Sequence, residues 1–464
     1  MIINRNSVNN SDTIKVSLTN NKHSRNSQNY QPGQWLWFGL GVAGIALLSA
    51  ATGALLAVSL TSKPLMQTSL SADEAAVFDG NRISGSGLGF SELTRPVNIL
   101  VMGMSVLTSD VRYSSEKTQK LGYLSQLNSF DGLADVILLL RFDPQNKKLV
   151  VLSIPRDTRV LIEGYGMKKI NSANREGGPA LTARTVSNLL NGVTIDRYVR
   201  INVLGVGKLI NALGGIIVNV PKDMKYQDNS QHLYINLKAG RQHLNGNQAL
   251  QLLRYRRDAL GDIGRIQRQQ IVMRALIEQS LNPVTLTRLP QILNVIKENI
   301  DTNLTLEEIL TLLGFGARTD RSNMQMLMLP GYFSNPREYN ASYWLPKHRK
   351  IPAMMSWYFR SESNKIPQIT HPETLKIAIQ NQTGSKNINF RPLIERLQKA
   401  GYSRIYFAKS FGLPLGMTRI VAQQGDRNSA KLVRNTLQLG EVRVESTGNL
   451  NSDVSIQVGQ DYLE

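Results

Sequence analysis

The sequence predicts an α/β protein: a three-layer α/β/α sandwich over residues 96–330, then a small α/β domain over 373–460, preceded by one transmembrane helix at 34–61. Three observations carry this. Short apolar strand patterns alternate with helical patterns through 96–330, the signature of helices packed on both faces of a sheet. A second, shorter alternation follows a stretch rich in prolines and aromatics. A charge-free run from Trp35 to Leu60 is long enough to cross a bilayer as one helix.

Residues 1–33 are rich in Asn and Ser and poor in apolar side chains, a composition that cannot bury enough surface to order itself; they are expected to form a disordered cytoplasmic tail. Arg5, Lys15, Lys22 and Arg25 precede the apolar run against a single Asp12, so the N-terminus is expected in the cytoplasm and everything after Lys63 outside it. Trp35 and Trp37 stand at one end of the run, where indoles favour the interface. A cleaved signal peptide is the alternative, disfavoured because the run is long and begins late. Residues 62–95 read as a Gly/Ser-containing linker.

Folding resumes at Pro96 with a short buried strand, Val97 to Gly103, followed by a polar insertion from Ser105 to about Phe130. Two continuous apolar strands, beginning at Asp135 and Lys148, are joined by the turn Asp143-Pro144-Gln145-Asn146. Apolar on both sides, they suit a sheet covered on two faces. Gly178 to Leu190 predicts a helix, Arg197 onward a strand, Leu204 to Leu213 a helix stopped by Gly214-Gly215, and Ile216 onward another strand. A short helix then leads into a strand bearing Arg254 and Arg256, and a long helix from about Ile263 to Leu281. Helical patterns at 286–299 and 305–315 precede a strand at Met324–Leu329. Residues 331–372 read as a linker. Beyond Leu375 come a strand, a helix from Phe390 to Ala400, a strand from Arg404, a strand at 418–423, a helix from Ser429 to Leu437 and a last strand at Val454.

The 464 residues carry a formal charge of +20, which points to anionic partners: nucleic acid, anionic lipid or a phosphate-bearing polymer. Cysteine is absent, which excludes disulfides, thiolate chemistry and cysteine-based zinc sites. The histidines show no metal-ligand spacing and no serine lies in a nucleophile elbow.

Two stretches concentrate the chemistry. Ser153-Ile154-Pro155-Arg156-Asp157-Thr158-Arg159 follows a strand at its C-terminal end, where open α/β sheets place ligands. Residues 254–270, RYRRDALGDIGRIQRQQ, pack arginines against Asp258 and Asp262. Arginine grips phosphate oxygens in a planar, bidentate way. On a strand Arg254 and Arg256 would face one side; Asp262, Arg265 and Gln269, spaced i, i+3, i+7, would share a helical face. The arrangement suits a pyrophosphate, with Asp262 at the helix start as a built-in base. A solvated basic helix with internal ion pairs is the plainer reading. Lys168-Lys169-Ile170-Asn171 could add phosphate donors, and Asp135 could ligate a hard cation such as Mg²⁺ or end a turn.

Taken in order, NILVMG, Asp135-VILLLRFDP, LSIPRDTRV, KKIN and LRYRR-x₄-GDIGRIQRQQ closely resemble the LytR-CpsA-Psr family of cell-wall polymer ligases, clearly over 95–282 and onward to 330. Residues 373–459 resemble the C-terminal domain often attached to such proteins, with Asn381-Gln382-Thr383-Gly384 a loose match to its Asn-Gly-Thr-Gly turn. The resemblance implies a membrane-anchored phosphotransferase acting outside the cell membrane. It would move a glycopolymer from a polyprenyl-pyrophosphate carrier to peptidoglycan through a phosphodiester bond, with an apolar cavity for the prenyl chain. By motif, Arg156, Arg254, Arg256, Arg265, Arg268 and Gln269 would hold the pyrophosphate, with Lys169 and Asn171 on the basic loop. Asp262 would be the general base and Asp135 one Mg²⁺ ligand. The family's other aspartate falls in a Gly-x-Asp pattern that here reads Gly103-Met104-Ser105, and Leu133 replaces a common arginine. Either Asp110 or Asp131 completes the metal site or the site is weakened.

Three other readings stand beside this one. A polyprenyl-pyrophosphate hydrolase would use the same grip with water as acceptor. A wall-binding protein without activity would rest on Ser105 alone. A membrane-anchored transcriptional regulator is permitted by the positive charge, but no helix-turn-helix is visible and the basic cluster is expected across the membrane from DNA. No nucleic-acid partner is therefore expected.

Overall fold

A computed structural model describes residues 64–85, 92–104, 130–229, 233–255, 261–280, 282–320, 323–335, 337–359, 371–385, 387–410 and 414–464. The expected tail (1–33) and transmembrane helix (34–61) lie outside the described residues. Among those described, no helix is long and apolar enough to cross a membrane.

Six strands form the central sheet: β1 (Val97–Met104), β2 (Ala134–Asp143), β3 (Lys148–Ile154), β4 (Arg197–Asn202), β5 (Ile300–Thr302) and β6 (Met324–Met328), in the order β5-β4-β1-β2-β3-β6. The sheet is mixed. β1 and β2 pair antiparallel, as do β2 and β3, whereas β1 runs parallel to β4 and β3 parallel to β6. Strand side chains alternate between faces, and the burial follows. Leu100, Met102, Leu139, Val150 and Leu152 enter one core with Ala180, Ala183 and Val186 of helix α1 (Ser172–Leu189). Ile99, Leu138 and Val151 enter the other. There they meet helices α2 (Val203–Ala212), α4 (Gly261–Ser280), α5 (Leu289–Asn299) and α6 (Leu306–Ala317) through Ala212, Ile277, Ile292 and Ile309. The two-faced burial explains why these strands read as unbroken apolar runs.

Several boundaries differ from the sequence expectation. Helix α1 begins six residues before the expected Gly178, and its interior is broken where Gly178 adopts φ 62°, ψ −157°, a conformation open to glycine; Pro179 then restarts the helix. Ile216–Val220 forms its strand, but it pairs with Gly240–Leu244 away from the central sheet. Two glycines with positive φ, Gly214 and Gly215, redirect the chain there. Its Ile216, Val218 and Val220 fill a third core with Leu252 and Val272. Arg254 is not on a strand: it ends helix α3 (Gly246–Arg254).

Both expected linkers carry packed structure. In 62–95, Phe78, Ile83 and Leu93 are buried, and the Phe78 ring lies 5.1 Å from Tyr198. In 331–372, Gly331–Phe333 pairs with Trp344–Pro346, and helix α7 (Ile351–Tyr358) follows. Trp344, Ile351, Met354 and Met355 join the main core. Aperiodic segments can still fold when isolated large apolar residues find a pre-existing core.

The C-terminal module is a five-stranded mixed sheet. Its strands are β7 (Lys376–Asn381), β8 (Arg404–Phe407), β9 (Arg419–Ala422), β10 (Glu441–Arg443) and β11 (Val454–Val458), in the order β8-β7-β11-β9-β10. Helices α8 (Arg391–Lys399) and α9 (Arg427–Leu437) pack through Leu393, Leu397, Val433 and Leu437. β10 was not legible in advance. The module meets the central sheet directly, the amide of Met326 on edge strand β6 donating to the carbonyl of Val444 at 3.2 Å.

Two charge pairs, one buried and one partly exposed, tie segments together. Arg200 on β4 pairs with Asp301 on β5 at 2.6 Å, both essentially without exposure. Asp301 also accepts from the Gln67 amide at 2.8 Å. Asp301→Asn leaves the Arg200 guanidinium buried without its counter-charge, so it should cost about 3–5 kcal/mol, read from the urea midpoint. Replacing both by apolar residues of similar size should cost less. A second tie titrates. Burial alone would raise the Asp453 carboxyl, but Lys350 at 2.8 Å, the Lys376 amide and Lys347 outweigh it and hold its pKa below the ordinary 3.8. Its stabilisation is therefore complete above the unfolded value and fades as pH falls below about 3.8 through the folded one. Asp453→Asn should flatten the stability–pH curve in that acid window and leave the neutral curve's slope unchanged.

Candidate functional site

Strand register assembles the site. β2 and β3 pair antiparallel with Ile137 opposite Ile154. Asp135, two residues before one, and Arg156, two residues after the other, therefore meet at the same end of the sheet. Arg156 Nη1 lies 2.5 Å from Asp135 Oδ1, and its Nε lies 3.4 Å from Asp157 Oδ2. The chain then forms a ribbon, Arg159–Ile162 against Gly166–Lys169, whose register sets Lys169 opposite Arg159. This returns Lys169 to the site, where its Nζ bonds Asp157 Oδ1 at 2.6 Å. The result is a row of alternating charges, Asp135–Arg156–Asp157–Lys169, with side chains between 13% and 31% exposed.

The backbone below is stitched. The Asn171 amide donates to the Arg156 carbonyl at 3.2 Å, and the Asn171 carbonyl accepts from Ala134 at 3.1 Å. Asn171 is buried, so its placement serves the loop that presents Arg156. Asn174, one turn later, donates to the carbonyls of Phe130 and Gly132 at 2.8 Å each, fixing the entry to β2. From the other side the Trp344 amide donates to the Asp157 carbonyl at 2.9 Å.

Gln269, on helix α4, lines the same narrow slot as Asp135 and Arg156. Behind this polar mouth the slot is apolar, lined by Val136, Leu138, Val151, Ile154, Met273 and Met326. Its open volume, about 20 Å³, holds little more than one water.

The other expected pyrophosphate ligands divide. Arg268 is buried, donates to the Tyr255 carbonyl at 2.6 Å, and sits 5.5 Å over the Tyr255 ring. It clamps α4 to the end of α3 and lines a different cleft, so the structure does not bring it to Arg156. The reason is helical: Arg268 and its neighbour Gln269 are about 100° apart around α4. Arg254 is half-buried at the end of α3. Asp262 and Arg265 lie on α4, with side chains outside the described set; Arg256, Ser105 and Asp110 lie outside the described residues altogether. Asp131 is exposed. Among the described residues no group of three or more acids and histidines could hold a metal ion.

Sequence reading placed Asp157 beside Arg156 at the strand end but gave it no role, because a strand-end turn explains an aspartate equally well. It also missed how the C-terminal module meets helix α4: Arg274 pairs with the buried Glu445 at 2.8 Å, and Gln267 donates to the Gly448 carbonyl at 3.3 Å. A cleft of about 240 Å³ lies between them, lined by Arg268, Arg274, Arg419 and Gln457 among others.

The profile of the LytR_cpsA_psr family matches residues 59–357. The chain belongs to the LytR-CpsA-Psr family. A profile described as LytR cell envelope-related transcriptional attenuator matches residues 374–462, which cover the C-terminal module. Among curated relatives, the chain is 34% identical over 275 residues to the polyisoprenyl-teichoic acid–peptidoglycan teichoic acid transferase TagV of Bacillus subtilis (strain 168), covering 57% of this chain and 65% of that protein. It is 36% identical over 199 residues to the regulatory protein MsrR of Staphylococcus aureus (strain COL), covering 42% and 59%. The match thus spans less than two thirds of either relative. The crystal structure of Bacillus subtilis TagV aligns at 30% identity with a TM-score of 0.46, over 57% of this chain and 96% of that one.

In this family member Arg156 stands between two carboxylates at the mouth of an apolar slot. A diphosphate seated at this mouth would lose about 1.5–3 kcal/mol of binding in Arg156→Ala, whereas Lys225→Ala and Lys238→Ala, which do not line the slot, should change it little. Isothermal titration with a short-chain prenyl pyrophosphate checks this; equal losses at all three positions would show bulk charge rather than a site.

Proposed function

We propose that the chain is a membrane-anchored, extracytoplasmic phosphotransferase that attaches a glycopolymer from a polyprenyl-pyrophosphate carrier to peptidoglycan. The observation that carries this reading is the Asp135–Arg156–Asp157–Lys169 row at the mouth of an apolar slot shared with Gln269. A diphosphate with a prenyl tail has the same two-part chemistry. The teichoic acid and peptidoglycan in the name of the related TagV support it. Anchoring rests on the charge-free run from Trp35 to Leu60.

Arg156 and Lys169 exchange part of their carboxylate contact for phosphate oxygens, and the basic side chains of α4 and the segment before it, Arg265 and Arg256 by motif, join them. The prenyl chain enters between the sheet and α4. At about 20 Å³ the slot admits no such chain as it stands, so α4 must move off β2 and β3 on binding. An acceptor sugar hydroxyl then attacks the phosphorus that carries the glycan. The new O–P bond forms as the bond to the bridging oxygen breaks, and polyprenyl monophosphate leaves with the electron pair. Asp262 takes the hydroxyl proton, and the arginines stabilise the charge on the departing phosphate. Mg²⁺, when bound, would be held by Asp135 with phosphate oxygens and neutralise part of their charge; a single carboxylate with substrate oxygens is an ordinary Mg²⁺ arrangement.

The hydrolase reading differs in the acceptor alone, and product analysis separates the two. With a lipid-linked donor and uncrosslinked peptidoglycan, the expected product is glycan bound to the wall polymer through one phosphate; free glycan phosphate as the sole product would establish hydrolysis. Asp262→Asn should reduce transfer by about 10²–10⁴-fold while donor binding holds or tightens, because a negative charge near the phosphates is lost. Wild-type transfer rates in this variant would exclude Asp262 as the base.

A further inference from the structure

Beside the charged row lies a surface that the proposed chemistry has not used. Tyr339 and Tyr343 stand edge to face with ring centroids 5.3 Å apart. The Arg159 guanidinium lies 5.0 Å from the Tyr339 ring and 6.0 Å from that of Tyr343, and Lys169 Nζ lies 5.5 Å from the Tyr343 ring. Arg159 and Lys169 are cross-strand partners on one ribbon, so both cations project to one side of it. Lys169 is the same residue that bonds Asp157, one link from Arg156.

The loop carrying the tyrosines is pinned. Ser334 and Tyr343 bond each other twice: the Ser334 amide donates to the Tyr343 carbonyl at 2.8 Å, and the Tyr343 amide to Ser334 Oγ at 3.0 Å. The next residue, Trp344, is buried, packs edge-on against Phe333 at 5.0 Å, and holds the Asp157 carbonyl. Tyr343 is thus fixed relative to the site backbone, Tyr339 packs against it, and both rings remain partly exposed. Tyr332, 49% exposed, lies on the adjoining hairpin.

We propose that Tyr339, Tyr343 and Arg159 form the docking platform for the acceptor, a glycan chain of amino sugars bearing carboxylates. This rests on the transferase reading above and names its acceptor subsite. Each ring carries a cation over one face and stays partly exposed; an exposed aromatic surface with a polar edge suits the C–H face of a pyranose ring, which carries hydroxyls at its rim. The Arg159 guanidinium held on the rings matches a carboxylate on the sugar's substituents. Continuity through Lys169 places a sugar on Tyr343 next to the diphosphate grip, as an attacking hydroxyl requires. A phospholipid headgroup would use the cations and leave the ring faces idle.

The test uses the full chain in detergent with a lipid-linked donor and soluble, uncrosslinked peptidoglycan chains. Tyr343→Ala and Tyr339→Ala should each raise the acceptor KM about tenfold, with donor KM and thermal unfolding unchanged; Tyr343→Phe, which keeps the face, should restore the wild-type value. Unchanged acceptor KM in both alanine variants would overturn the platform. A rise in donor KM in place of acceptor KM would overturn it too, assigning the surface to the donor's glycan or headgroup. Direct titration with the soluble chains separates this from the parent reading. Glycan binding lost in Tyr343→Ala, with no transfer by the wild type, keeps the platform and removes the transferase; equal binding by wild type and variant removes the platform whatever the transfer result.

Discussion

Arg156 lies between two carboxylates, and its position constrains everything around it. A guanidinium at the end of a buried strand needs its charge matched. Asp135 supplies one match because β2 and β3 share a register, and Asp157 supplies another because the chain turns immediately after the strand. Asp157 in turn fixes Lys169 through a ribbon just long enough to return it. The row keeps its cations ordered through their carboxylate partners, so that an anion arriving there would meet donors already in place.

Around this row the structure is layered by burial. The two faces of the sheet feed separate cores, one closed by α1, the Trp344 segment and the C-terminal module, the other by α2 and α4 to α6. Helix α4 belongs to both concerns. It covers the sheet over the apolar slot, and it is held from outside by Glu445 and Gly448 of the C-terminal module. Movement of α4 to admit a prenyl chain would therefore be felt in the C-terminal module. A hydrogen bond from β6 to the Val444 carbonyl sets that module against the sheet's edge.

Much of the architecture was legible because hydrophobic period and motif order are local properties. The strands at 97, 134, 148, 197 and 324 and the long basic helix stand where their apolar patterns put them. The misreadings share a cause. The segments 64–85, 92–95 and 331–359 lack periodicity, yet Phe78, Ile83, Trp344 and Met354 are buried singly in a core made by other elements. Arg254 looked like a strand residue because a two-residue spacing was read without the helix-capping Asn245, which bonds the Gln248 amide and starts α3. Arg268 looked like a ligand by composition; only the helix's rotation shows that it clamps Tyr255.

The sequence by itself determined the α/β class, the family and the kinds of side chain available for an anion, because residue type and spacing are written in order along the chain. The tertiary structure decided which of those side chains share a site. Charge balance at Arg156 depends on residues up to 21 positions away, and the tyrosines beside Lys169 lie more than 160 positions beyond it. Such neighbours are selected by strand register and by which buried residue anchors a loop, and neither leaves a periodic trace in the sequence.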